Sequence, residues 1–182
     1  SFITRLSVNL YLKKSNQNTK LLDDVYNANK YQLTNLINRA EKEAKIEWQN
    51  KKVLILGLAF KRDTNDIRNS PSLIIVDELL KKGISKVVLF DPAAMENFAK
   101  VFPKTEKIEY VMDEEMAFKQ DFDVVIIATD WPQFRGISKN LLLKKSKTLI
   151  IDGRRMLQHE YDNLAKNGYD IIAVGSSFIK NR

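Results

Sequence analysis

Val53-Leu54-Ile55-Leu56-Gly57-Leu58-Ala59-Phe60-Lys61-Arg62-Asp63-Thr64-Asn65-Asp66-Ile67-Arg68-Asn69-Ser70-Pro71 is the stretch on which the fold turns. It opens on four consecutive apolar residues, the pattern of a strand buried on both faces. A glycine and a charged excursion follow. Ser70 is then a natural N-cap, Pro71 suits the first helical position, and Gly83 suits the end of a helix over Pro71–Lys82. Strand, charged turn and helix in that order form the opening unit of a parallel α/β sheet.

The same alternation continues outward. Apolar, β-branched runs at Val87–Phe90, Val124–Ala128, Leu149–Ile151 and Ile171–Val174 read as further strands, with a weaker one at Ile108–Met112. Helical patterns separate them at Ala93–Phe102, Glu114–Lys119, Lys139–Leu143 and His159–Asn167. The expected fold is α/β: a doubly wound, mainly parallel Rossmann-like sheet with helices on both faces, occupying residues 51–182. Residues 1–50 differ in texture, being polar, rich in Asn and Lys, and free of Gly and Pro. A long N-terminal helix is expected from Asp23 to Trp48. Leu22, Val25, Leu33, Leu36, Ile37, Ala40 and Ala44 recur along it at three- and four-residue spacing. So narrow a stripe serves either docking and oligomerisation or packing on the helix's own domain.

Composition removes several function classes. With no cysteine and one histidine, His159, thiolate chemistry, disulfides and histidine-rich metal sites are excluded, so no metal is expected. His159 reads as a surface or capping residue. No apolar run approaches the roughly 18 residues of a membrane span, and no secretory pattern opens the sequence, so the expectation is a cytoplasmic chain without a membrane partner. The net charge of +7 is spread over short lysine pairs without a nucleic-acid motif, so no nucleic-acid partner is expected.

Ligands of doubly wound sheets bind beyond the carboxyl ends of the strands. Those ends are Gly57–Arg68, Asp91-Pro92, Thr129-Asp130-Trp131 and Asp152-Gly153-Arg154-Arg155. All six glycines are isolated, so there is no G-x-G-x-x-G to bring backbone amides against a dinucleotide pyrophosphate. The first turn carries Phe60 and Lys61 instead. A lysine meets anionic oxygen with side-chain charge, and an aromatic ring covers a sugar or base. These residues and Arg154 or Arg155 are the candidate ligand contacts, with Arg154 preferred because adjacent arginines cannot both face one crevice. Asp66 and Arg68 read as an internal ion pair bracing the loop. Asp91 reads as the start of an Asp-Pro turn more than as a ribose contact.

Residues 57–71 resemble the G-x-(A/S)-F-K-x-D-T-x-D-x-R-x-S-P signature of the UDP-glucose/GDP-mannose dehydrogenase C-terminal domain. Phe90-Asp91-Pro92, Ala128-Thr129-Asp130-Trp131-Pro132-Gln133-Phe134 and Asp152-Gly153-Arg154-Arg155 agree in order and spacing, more on the UDP-glucose branch. The resemblance implies a UDP-sugar-binding domain of an enzyme that oxidises a UDP-sugar 6-hydroxyl to a carboxylate with two NAD. UDP-glucose or UDP is the implied ligand, contacted by Phe60, Lys61 and Arg154 or Arg155, and residues 21–48 are the implied homodimer helix. Aligned without gaps, Ser1-Phe2-Ile3-Thr4-Arg5 falls on the family's Cys-Phe-x-Lys-Asp segment. Ser1 therefore stands at the position of the covalent nucleophile and Arg5 at that of the water-positioning aspartate. Serine forms no stable thiohemiacetal, so the implied chain binds substrate, holds no NAD and does not turn over. The alternative from another class is a non-catalytic nucleotide-binding or regulatory module.

Overall fold

The computed structural model describes residues 20–147 and 149–182, with side chains from residue 27 onward except those of 29 and 30. Helix α1 spans Lys20–Lys42. Then follow β1 (Lys52–Leu56), α2 (Pro71–Lys81), β2 (Lys86–Phe90), α3 (Met95–Ala99), β3 (Ile108–Tyr110), α4 (Glu114–Lys119) and β4 (Val124–Ile127). A 3-10 helix at Pro132–Gly136 leads into α5 (Ser138–Leu143), β5 (Leu149–Asp152), α6 (Tyr161–Lys166) and β6 (Asp170–Ala173).

The six strands form one sheet in the order β3-β2-β1-β4-β5-β6, and every ladder is parallel. The expected Rossmann-like class holds. Order reverses beside β1, which places the switch-point crevice at the carboxyl ends of β1 and β4. Strand residues alternate between two apolar layers. Val53 and Ile55 pack with α1, α2 and α3, whereas Leu54 and Leu56 pack with α4, α5 and α6. Burial on both faces is why these strands read as unbroken apolar runs. α2 begins as its signals predict, with the Ser70 side chain accepting from the Ser72 amide.

Several element boundaries differ from expectation. α1 ends at Lys42 instead of Trp48, because Lys45 takes a left-handed conformation (φ 56°) and the Ile46 amide donates back to Ala40 O at 3.2 Å. Leu33, Leu36, Ile37, Ala40 and Trp48 nonetheless join the core that holds β1 and α2. α3 starts two residues later than expected, because the Asp91 carboxylate holds the Ala93 and Ala94 amides in a turn. The 3-10 helix after Trp131 has a proline at its start and no periodicity long enough to announce it.

Candidate functional site

The loop from Gly57 to Ser70 is held down along most of its length. Gly57 donates its amide to Phe90 O at 2.8 Å. It adopts φ +98°, and a Cβ there would lie 2.5 Å from the Thr129 side chain, so glycine is required by both conformation and space. The Leu58 and Ala59 amides donate to Asp91 Oδ2 at 2.7 and 3.0 Å. Thr129 Oγ1 donates to Ala59 O at 2.9 Å. Further along, the Phe60 amide closes on Asp66 O at 2.8 Å, Asn97 Nδ2 donates to Asn65 O at 2.9 Å, and buried Ile67 anchors the loop in the core.

Phe60 is half-buried and Lys61 is exposed at the tip of this loop. No hydrogen bond or ion pair engages the Lys61 side chain among the described residues, whereas neighbouring Arg62 lies within 4.0 Å of Asp63 and Asp130. The Asp66–Arg68 pair is present and bidentate: Arg68 Nε lies 3.0 Å from both carboxylate oxygens and Nη2 lies 2.7 Å from Oδ2. The Arg68 amide adds a bond to Asp66 Oδ1 at 2.8 Å. The Arg68 side chain holds the Asp66 carboxyl below its ordinary range, against the opposing effect of partial burial.

The β5 turn separates the two arginines. Arg154 Nε donates to Ala128 O at 3.1 Å, so the side chain lies along the end of β4, next to the Thr129 that ties down Ala59. Arg154 and Ala59 thus bond adjacent residues, 128 and 129, at the end of β4. Arg155, at φ 54°, sends Nη1 to Val174 O at 3.0 Å and Nε to Gln158 at 3.2 Å. Its side chain is committed beyond β6. Ser1 and Arg5 lie outside the described residues. His159 is exposed beside Gln158. Among the described residues no group of three His, Asp or Glu could hold a metal, and no helix is long and apolar enough to cross a membrane.

Two buried aspartates carry more of the site than their residue type announced. Both Asp91 oxygens accept: Oδ2 from Leu58, Ala59 and, at 3.0 Å, Trp131 Nε1; Oδ1 from Ala93 and Ala94 at 2.8 and 2.9 Å. Asp152 accepts from the amides of Arg154, Met156 and Leu157 and, at 2.8 Å, from the Tyr161 hydroxyl. Burial, then the facing carboxylate, pushes the Tyr161 phenol far above its usual range. In a dinucleotide-binding sheet the β1-turn amides face a pyrophosphate and the β2-end carboxylate takes a ribose hydroxyl. Here those two groups are bonded to each other, so these residues do not fit NAD.

A doubly wound, all-parallel sheet in this strand order defines a Rossmann-like α/β domain. Residues 54–159 match the family model described as the UDP-glucose/GDP-mannose dehydrogenase family, UDP binding domain. The chain is 30% identical over 172 residues to a UDP-glucose 6-dehydrogenase of Rickettsia bellii, covering 94% of this chain and 38% of that protein. It is 35% identical over 133 residues to one of Bacillus subtilis, covering 70% and 27% respectively. Among solved structures, a UDP-glucose dehydrogenase from Pyrobaculum islandicum superposes with TM-score 0.58 at 31% identity, over 70% of this chain and 27% of that one. An NDP-N-acetyl-D-galactosaminuronic acid dehydrogenase from Methanosarcina mazei gives TM-score 0.63 at 24% identity, over 81% and 29%, and shares the fold. The chain belongs to the UDP-glucose/GDP-mannose dehydrogenase family, and the part that matches is its UDP binding domain. It spans about 38% of the length of the Rickettsia relatives it matches.

Proposed function

We propose that this chain is the UDP-sugar-holding domain of an NAD-dependent UDP-glucose 6-dehydrogenase, contributing binding and orientation while redox chemistry is carried elsewhere. What supports the proposal is the anchoring of the loop after β1 by Asp91 and Thr129, the Arg154 side chain bonded to Ala128 O at the adjacent strand end, and a Lys61 ammonium without a partner among the described residues. Lys61 supplies charge to a diphosphate, the Phe60 ring covers the sugar, and Arg154, already steered by Ala128 O, presents its remaining donors to the far end of the ligand. NAD supplies the hydride acceptor for the oxidation. The Asp91-filled cradle here does not receive it, so NAD belongs to another part of the enzyme. On this proposal the chain is cytoplasmic and residues 21–48 form a homodimer element.

Calorimetric titration of the chain with UDP-glucose, UDP and NAD tests the ligand class: UDP and UDP-glucose should bind, and an NAD response equal to or stronger than that of UDP would overturn the proposal. Lys61→Ala should weaken UDP-glucose binding by about 1.5–3 kcal/mol, the magnitude of a lost charge-assisted contact. Unchanged affinity would reject its role. Mixing the chain with NAD and UDP-glucose should yield no NADH, and sustained turnover would contradict a purely binding role.

A further inference from the structure

We propose that Asp91 is a positioning residue for the UDP-sugar crevice: its carboxylate is a built-in anion that holds the β1 loop, and with it Phe60 and Lys61, against the Trp131 loop. The proposal rests on the binding role just assigned. Asp91 lies at the end of β2 with no exposed surface. Its two oxygens accept from five N–H donors on three separate segments: Leu58 and Ala59 after β1, Ala93 and Ala94 after β2, and the Trp131 indole after β4. Convergent backbone amides ordinarily make a receptor for an anion brought from outside. Here the anion is covalently part of the fold, and the receptor is permanently filled.

The two oxygens divide the labour. Oδ1 serves only the local turn into α3. Oδ2 serves only the other two loops, at 2.7–3.0 Å from each donor. A carboxylate acts equally well on both sides. An amide cannot, because its NH2 group meets either the local turn or the two distant loops donor against donor. The β1 loop has no second anchor of this strength at residues 58 and 59. The remaining tie, Thr129 Oγ1 to Ala59 O, is a neutral hydrogen bond. Loss of the Oδ2 contacts should therefore release Phe60 and Lys61 selectively while the sheet stays intact.

Chemical rescue tests this directly. Asp91→Ala leaves a hole shaped for one small carboxylate. Its melting temperature and UDP affinity should fall, the latter at least tenfold, and 100 mM formate should restore both. The expected recovery is a melting shift of about 2–5 °C relative to equal ionic strength of chloride. Formate should not affect the parent chain. Rescue by chloride as strong as by formate, or none in a variant whose circular dichroism is native, would overturn the anion role. Trp131→Phe covers the case in which Asp91→Ala does not fold: it deletes one Oδ2 donor and leaves the local turn untouched, so it should keep the native spectrum and weaken UDP binding, and unchanged affinity would overturn the positioning role. A parent chain that binds no UDP would refute the binding role assigned above, while the formate-dependent melting shift would still decide whether the cradle exists.

Discussion

The loop after β1 has a root and a tip, and each has an aspartate. At the root, Asp91 reaches in from β2, is fully buried, and meets five N–H donors from three segments. At the tip, the Asp66 carboxylate bonds one residue, Arg68, which is two positions along the chain and more than half exposed. The geometry of the tip pair is ideal, yet solvent screens it and the bond closes no long-range contact. The root bonds sit where water cannot replace them, so leaving their donors unpaired costs the full desolvation of several amides. Local shape is secured at the tip, and the relative placement of strands and loops at the root. The β5 turn repeats the root pattern in Asp152, which gathers the turn carrying Arg154.

The comparison breaks first at the buried end. Asp152→Ala should cost about 3–5 kcal/mol by chemical denaturation, because it strands two buried amides and the Tyr161 hydroxyl together. A loss below 1 kcal/mol would mean that water or a shifted backbone satisfies them. Gly57→Ala comes next, at about 2–4 kcal/mol, since it combines positive-φ strain with a Cβ inside the Thr129 contact distance. Adding Thr129→Ser should recover none of this loss, because the Thr129 Cβ, amide nitrogen and Oγ1 that the new Cβ would meet all remain in serine; recovery would place the cost elsewhere. Tyr161→Phe removes a single donor to Asp152 and should cost about 1–2 kcal/mol, measured by thermal and urea unfolding.

The exposed end should give the smallest effect. Asp66→Asn is expected to change stability by less than about 1 kcal/mol at neutral pH. Its sign with pH is definite. The Arg68 partner depresses the Asp66 carboxyl in the folded state, so the pair stabilises above the ordinary aspartate value, near pH 4. That contribution disappears as pH falls through the depressed folded value. The stability difference between parent and Asp66→Asn should therefore close below about pH 4. A difference that persists unchanged at pH 2.5 would place its origin outside the ion pair.

α1 offers a second contrast along one element. Leu33, Leu36, Ile37 and Ala40 are buried, and Gly153 is a glycine because a Cβ would meet Leu33 Cδ2 at 2.5 Å and Ile127 O at 2.9 Å. Arg39 further ties the helix to Ala173 O and Ser176 O beyond β6. Tyr31, two residues before Leu33, is 75% exposed. The apolar spacing that announced the helix continues through its described C-terminal half. Tyr31 stands roughly 200° around the helix from Leu33, on the face opposite the apolar stripe, so its exposure is what the spacing itself predicts.

Sequence by itself determined the sheet and its helices, because burial on both faces demands unbroken apolar strands and capping chemistry is local. It also determined the Asp66–Arg68 pair, whose partners are two residues apart. The strand ends read from the sequence placed Phe60, Lys61, Arg154 and Arg155 on loops at the carboxyl end of the sheet. Tertiary structure alone decided that Arg155 turns away toward Val174, that α1 stops at Lys42, and that Asp91 and Asp152 are buried hubs. An aspartate in a turn has the same local signature whether it faces solvent or five converging amides. Only the parallel pairing of β1 with β2 and β4 brings those donors to one carboxylate, and that adjacency is what makes Asp91 an anchor instead of a ribose contact.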